Sequence, residues 1–183
     1  LLSPAKNLEV GIAAINHGAD AVYIGPSQFG ARVAAGNSVS DIAQLVEYAH
    51  KYYARVYVTL NTILKDDELE PARLLVNDLY NAGVDALIVQ DMALLQMDLP
   101  SIALHASTQC DTRTVEKVRF LEQCGFEQVV LARETSLDTM RQMSEQTNVA
   151  LEAFVHGALC VSYSGQCYLS EAARGRSANR GAC

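Results

Sequence analysis

Gly18-Ala19-Asp20-Ala21-Val22-Tyr23-Ile24 returns, with its letters altered, as Gly83-Val84-Asp85-Ala86-Leu87-Ile88-Val89 and as Gly125-Phe126-Glu127-Gln128-Val129-Val130-Leu131. Each phrase is a glycine followed by a short apolar run. Glycine takes the left-handed conformation that ends a helix without a Cβ penalty. A run that is apolar at both parities suits a strand covered on both faces, as in a parallel sheet. Each phrase therefore marks a helix-to-strand turn.

Between and around these phrases lie segments of helical period: Val39, Ile42, Leu45, Val46, Ala49; Leu69, Ala72, Leu75, Val76, Leu79; Val115, Val118, Leu121; and Leu137, Met140, Met143. Such apolar stripes pack onto a sheet. Ser40-Asp41, Asp66-Asp67 and Thr135-Ser136 stand where helix caps belong. Strands are predicted near Leu1-Leu2 and at 21–24, 55–60, 86–89, 102–106, 128–131 and 150–154, with a helix after each of the first six. Regular βα alternation with short connections specifies an α/β fold with a parallel sheet, and a TIM-type (β/α) barrel of eight such units takes about 250 residues. The expected fold is thus a parallel (β/α) barrel truncated before its eighth unit. Both ends read as cut, with Leu1 at the start and Cys183 directly after Arg180-Gly181-Ala182. An open doubly wound sheet is the alternative. Against it, Gly25-Pro26-Ser27-Gln28-Phe29-Gly30 lacks the spacing of a dinucleotide-binding glycine fingerprint.

A chain of 183 residues, 50% hydrophobic and 19% charged, supports one substantial core. The expected division is a barrel core over 1–155 and a cysteine- and arginine-containing loop over 156–183. No apolar run reaches the roughly 18 residues a membrane span needs, and no secretory signal opens the chain, so a cytoplasmic location is expected. A net charge of −7 argues against broad electrostatic binding of nucleic acid. Locally the balance reverses: Arg174, Arg176 and Arg180 follow one another with no acid between Arg174 and Cys183.

In a parallel barrel the loops after the strands form the active face. The polar residues gathered there are Arg32 after the second strand, Asn61 and Thr62 after the third, and Gln90 and Asp91 after the fourth. His105, Ser107, Thr108 and Gln109 surround the fifth, Arg133 and Glu134 follow the sixth, and Glu152 and His156 flank the seventh. Singly, several read as caps or turn braces, Asp91, Glu134 and Asn61 among them. Together they would ring one mouth with amides, acids, a cation and imidazoles, as binding a small polar or anionic molecule requires. His105 and His156 are the acid–base candidates, with Glu152 beside them; His17 and His50 sit near helix ends and read as surface or capping residues.

The densest signal is the loop after the last strand, where Cys160 and Cys167 are separated by six residues and Cys183 follows after fifteen more. Five cysteines without an export signal point to thiols or metal ligands rather than to disulfides. Cys110 and Cys124 stand apart, and Cys124 reads as a buried thiol acting as a small hydrophobe. Three thiols among Gly157, Gly165, Gly175 and Gly181 suit a soft metal centre, zinc or iron–sulfur, although the spacing matches neither a zinc ribbon nor the common ferredoxin run. A nucleophilic Cys160 activated by His156, or three ordinary thiols, are the other readings.

Glu152-x-Phe154-x-x-Gly157-Ala158-Leu159-Cys160 with Gly165-x-Cys167-x-Leu169-Ser170 resembles the signature of the peptidase U32 family, the collagenase-like proteins. The resemblance extends over Leu2 to Glu9, the Gly18–Gly25 strand, Phe29-x-Ala31-Arg32 and Leu131-Ala132-Arg133-Glu134, hence nearly the whole chain; Ser3 replaces a more usual Ala. Gly175-Arg176-Ser177-Ala178-Asn179-Arg180-Gly181-Ala182-Cys183 looks most like the members that hydroxylate a cytidine of 23S ribosomal RNA, relatives of those that make 5-hydroxyuridine in tRNA. Other members act in oxygen-independent ubiquinone hydroxylation.

The resemblance implies a barrel holding a 4Fe-4S cluster on four cysteines, and prephenate as hydroxyl donor. Three of the ligands fall on Cys160, Cys167 and Cys183, and the fourth has no counterpart in these residues, which alone are therefore expected not to hold an intact cluster. Arg32, Arg133, His105 and His156 are expected at the anionic donor, Asn61, Gln90, Gln109 and Glu134 around the substrate, and Arg176 and Arg180 on RNA. Guanidinium forks suit carboxylate and phosphate alike. The alternative function is a collagenase-like peptidase with Cys160 as nucleophile and His156 as base; a zinc-stabilised binding module without catalysis is the third.

Overall fold

The computed structural model describes residues 1–30, 36–157, 160 and 162–175. Seven strands, β1 (Leu2–Ala5), β2 (Ala21–Ile24), β3 (Arg55–Leu60), β4 (Ala86–Val89), β5 (Ala103–Ala106), β6 (Gln128–Val130) and β7 (Ala150–Glu152), are all parallel and neighbour one another in chain order. A doubly wound sheet reverses its strand order at a switch point; this one never does, which leaves the barrel topology. Curvature brings strands two places apart into contact. Tyr57 on β3 and His105 on β5 meet ring to ring across β4, with centroids 4.7 Å apart.

The central strands read as expected because they bury both faces, β4 at every position; the outer strands β1 and β7 are more open. Val22, Val56, Val58, Leu87 and Val129 belong to the large cluster between sheet and helices, while Ala21, Tyr57, Ala86 and Ile88 form a smaller cluster on the concave side. Helices α1 (Leu8–Asn16), α2 (Val39–His50), α3 (Leu69–Asn81), α4 (Val115–Gln123) and α5 (Leu137–Gln146) follow β1, β2, β3, β5 and β6. Their stripes supply Ile42, Leu45, Val76, Leu121 and Met143 to the outer core. Gly11 is the close-approach point of α1 on α2: a Cβ there would stand 2.7 Å from a Leu45 methyl. At Gly18, Gly83 and Gly125 the backbone φ is positive, as the helix-to-strand turns require.

Three local expectations are corrected. The cap of α2 is Ser38, not Ser40: its hydroxyl accepts from Asp41 N and the Asp41 carboxylate accepts from Ser38 N, a reciprocal capping box. After β4 there is no α-helix but a 3₁₀ turn, Met92–Gln96, because the connection to β5 is short and Pro100 forces its predecessor out of helical conformation. The cysteine loop carries a short helix, α6 (Leu169–Arg174), where only a loop was expected.

Candidate active site at the barrel mouth

Strand register places Thr59, Ile88, His105, Gln128 and Ala150 in one row across the concave face. Two residues further along each strand, toward the C-terminal ends, come Asn61, Gln90, Ser107, Val130 and Glu152. The same parity turns them inward. The rim is therefore built of amide, hydroxyl and carboxyl groups over a partly polar floor, where barrel interiors are usually filled by branched aliphatics. Asn61 Nδ2 donates to Ser107 Oγ at 3.4 Å and Gln90 Nε2 to the Gln109 carbonyl at 3.2 Å. Gln128 Nε2 donates to Glu152 Oε2.

The two titratable groups here are displaced in opposite directions, both toward neutrality. Burial pushes the Glu152 carboxyl above the usual range, against the opposing hydrogen bond from Gln128. His105 is 5% exposed, and burial, aided by the positive charge of Arg55, pushes its imidazole down to about 4. Its Nδ1 is buried with no hydrogen-bond partner among the described residues. His105 thus presents a neutral ring from inside the barrel rather than a cation at the mouth.

Other expected site residues turn toward the cysteine loop. Arg133 lays its guanidinium over the Phe154 ring at 4.5 Å, and its backbone N–H donates to Ser164 Oγ. Glu134 Oε1 accepts from Ser164 N at 2.8 Å. His156 is exposed on the stretch after β7. Asp91 serves as a cap and brace, accepting from Ala93 N and Leu64 N. His17 bonds the Ala13 carbonyl and His50 pairs with Asp85 at the surface, as their helix-end positions suggested. Arg32, Arg176, Arg180 and Cys183 lie outside the described residues.

Of the cysteines, Cys110 is buried, directs its Sγ at the Val89 carbonyl, and is pushed up to about 11 by burial, which makes it an inert thiol near neutral pH. Cys124 caps the end of α4. Cys160 is exposed and Cys167 partly so. The Cys167 thiol is held below its ordinary range by the Ser162 hydroxyl and then by the Leu169 N–H. Among the described residues no three His, Cys, Asp or Glu side chains come together as a metal site.

Two residues of the site, Gln128 and Ser164, escaped the sequence reading. Gln128 sits inside one of the repeated strand phrases, and its inward parity was the signal available. Ser164 is buried and its hydroxyl meets that of Thr108 at 3.5 Å, and nothing in a Ser-Tyr-Ser-Gly turn announces that its third residue is buried.

Over all 183 residues the chain is 63% identical to the 23S rRNA 5-hydroxycytidine C2501 synthase of Escherichia coli strain K12, of which it spans 28%. It is 39% identical to tRNA hydroxylation protein P1 of Bacillus subtilis strain 168, spanning 44% of that protein. The chain thus covers less than half the length of either relative. Among solved structures, the U32 peptidase Mk0906 superposes with a TM-score of 0.69 over 83% of this chain and 66% of its own, at 14% identity, which is a likeness of fold alone. The model of peptidase family U32 matches residues 6–183, and the chain belongs to that family.

Proposed function

We propose that this chain is the barrel part of an RNA-modifying hydroxylase that oxidises a pyrimidine without molecular oxygen, its target a cytidine of 23S ribosomal RNA. The observation that carries this reading is the 63% identity to the E. coli hydroxycytidine synthase over all 183 residues. An rRNA target implies a cytoplasmic protein.

The cysteine loop suits a 4Fe-4S cluster. Cys160 and Cys167 are accessible, and the hydrogen bonds to Cys167 favour the thiolate that ligates iron. Cys160, Cys167 and Cys183 would hold it together with a fourth ligand, and the bound cluster would supply redox or Lewis-acid chemistry. The chain's own residues do the rest. Asn61, Gln90 and Gln109 offer hydrogen bonds at the rim to a small polar co-substrate, prephenate in this reading. Glu152 keeps a proton to higher pH than an ordinary carboxyl and so can donate one there, Gln128 fixing its orientation. Neutral His105 accepts or relays a proton from below. In this reading Arg32 is assigned to the carboxylates of the donor, and Arg176 and Arg180 to the phosphates of RNA.

Mass spectrometry of ribosomal RNA from a deletion strain tests the proposal. Hydroxycytidine should vanish and return with the full-length gene; unchanged hydroxycytidine removes the reading. Peptide cleavage by metal-free full-length protein, lost on Cys160→Ser, would establish the peptidase instead.

A further inference from the structure

Among the described residues of the loop Ser164 is buried, 3% exposed, while Tyr163 and Gln166 lie in solvent. Three groups from the ends of β5 and β6 converge on it. The Glu134 carboxylate accepts its N–H, while the Arg133 N–H and the Thr108 hydroxyl donate to its Oγ. Gly165 follows at φ 72°, and a Cβ built on it would stand 2.2 Å from the Gln109 carbonyl oxygen, so the backbone itself lies against that carbonyl. The same carbonyl accepts from Gln90 of the rim.

We propose that the Ser164-Gly165 turn is a plug seated on Glu134, Arg133, Thr108 and Gln109, and that these residues position Cys160 and Cys167 over the barrel mouth. The inference deepens the hydroxylase reading, since it rests on the rim and the cysteines acting together. The loop leaves β7 through exposed residues, and Ser164 is where it is tied back. Only one residue lies between Gly165 and Cys167 in the sequence, and three lie between Cys160 and Ser164. Through Gln109 the seat also links the loop to Gln90, so a displacement of the plug is felt at the rim. Glu134 and Ser164 are positioning residues: they hold the loop and need not touch substrate.

The test is peptide-resolved hydrogen exchange on the full-length protein as purified, comparing Ser164→Ala, Gly165→Ala, Glu134→Ala and Glu134→Gln. A glutamine oxygen still accepts from Ser164 N, so Glu134→Gln should exchange like the parent across 160–168. The three other variants should exchange about tenfold faster there, with β1 to β6 unchanged: Glu134→Ala removes the charged acceptor of Ser164 N–H, Ser164→Ala removes the acceptor of Arg133 N–H, and Gly165→Ala drives a Cβ into the Gln109 carbonyl. Unaltered loop exchange in Ser164→Ala and Gly165→Ala overturns the proposal, as does a Glu134→Gln variant as labile as Glu134→Ala. Exchange is read without RNA or donor. Loss of hydroxycytidine in a deletion strain beside unaltered loop exchange would leave the hydroxylase standing and the seat refuted; the converse pair of results would do the reverse.

Discussion

Tyr57 and His105 face each other edge to face inside the barrel, their planes 76° apart, although β4 runs between the strands that carry them. In a flat sheet such strands lie roughly 9.5 Å apart. Contact between their rings shows the sheet curling about an axis and alternate strands contributing to one interior layer, as barrel packing demands. The ring of His105 is thereby sealed from water, and its protonation becomes a folding matter.

The sign follows from the displaced imidazole. His105 titrates near 4 in the folded chain and near the ordinary 6.5 when unfolded, so between those values the unfolded state binds the extra proton. The stability contributed by the neutral ring is complete above pH 6.5 and is lost as pH falls toward 4. The displacement corresponds to a loss of about 3 kcal/mol across that window. Denaturant titrations at pH 7 and pH 4.5 should show the fall, and His105→Phe, which keeps a ring against Tyr57, should flatten it. An equal fall in His105→Phe would assign the acid sensitivity elsewhere.

Glu152 works in the opposite direction. Its folded carboxyl titrates above the ordinary 4.5, so what it contributes is present below that value and declines as pH rises through the folded pKa. Glu152→Gln removes the buried ionisation and can still accept from Gln128. The variant should be at least as stable as the parent at pH 8, measured by thermal melting, while kcat/KM of the full-length enzyme falls by about 10² to 10⁴, the range for a lost general acid or base. Full activity in this variant would take Glu152 out of the chemistry.

Gly11 predicts a packing conflict. A methyl placed there meets both terminal methyls of Leu45, at 2.7 and 2.8 Å, and Leu45 is fully buried and has no solvent to retreat into. Overpacking of this kind costs about 1–3 kcal/mol, partly offset by about 0.5–1 kcal/mol of helix propensity gained on replacing glycine. Gly11→Ala should therefore lower stability by about 1 kcal/mol. Adding Leu45→Val should destabilise by less than the sum of the single changes; strict additivity would show that the two positions do not touch.

The sheet was legible because its determinants are local. Gly18, Gly83 and Gly125 end helices, and the apolar runs after them need cover on both faces, so β2 and β4 begin and end where the sequence indicated. Rim residues were legible for the same reason: Asn61, Gln90 and Glu152 continue the inward parity of their strands. What sequence could not carry was the partner of each polar group. Arg133 and Glu134 suited an anion-binding mouth as well as they suit Phe154 and Ser164, and only the return of the chain some thirty residues later decides between those uses. His105 likewise looked like a mouth residue until the curl of the sheet put Tyr57 and Arg55 beside it.

Iron content should sort the cysteines by environment. Cys110 is walled in at the carbonyl of Val89 and holds its proton to about pH 11, whereas Cys167 is accessible and receives hydrogen bonds that favour its thiolate. A thiol must lose its proton to ligate iron, so under the proposed cluster the first thiol is expected to take no part and the second to serve as a ligand. In anaerobically purified full-length protein, Cys110→Ala should keep the parental iron and sulfide and lose about 1 kcal/mol of stability to the small cavity. Cys160→Ser and Cys167→Ser should each deplete iron and bleach the absorbance of the cluster, with melting of the barrel little changed. Parental iron in Cys167→Ser would remove the loop as the cluster site, and depleted iron in Cys110→Ala would mean that the buried turn after β5, not the exposed loop, is where the metal is held.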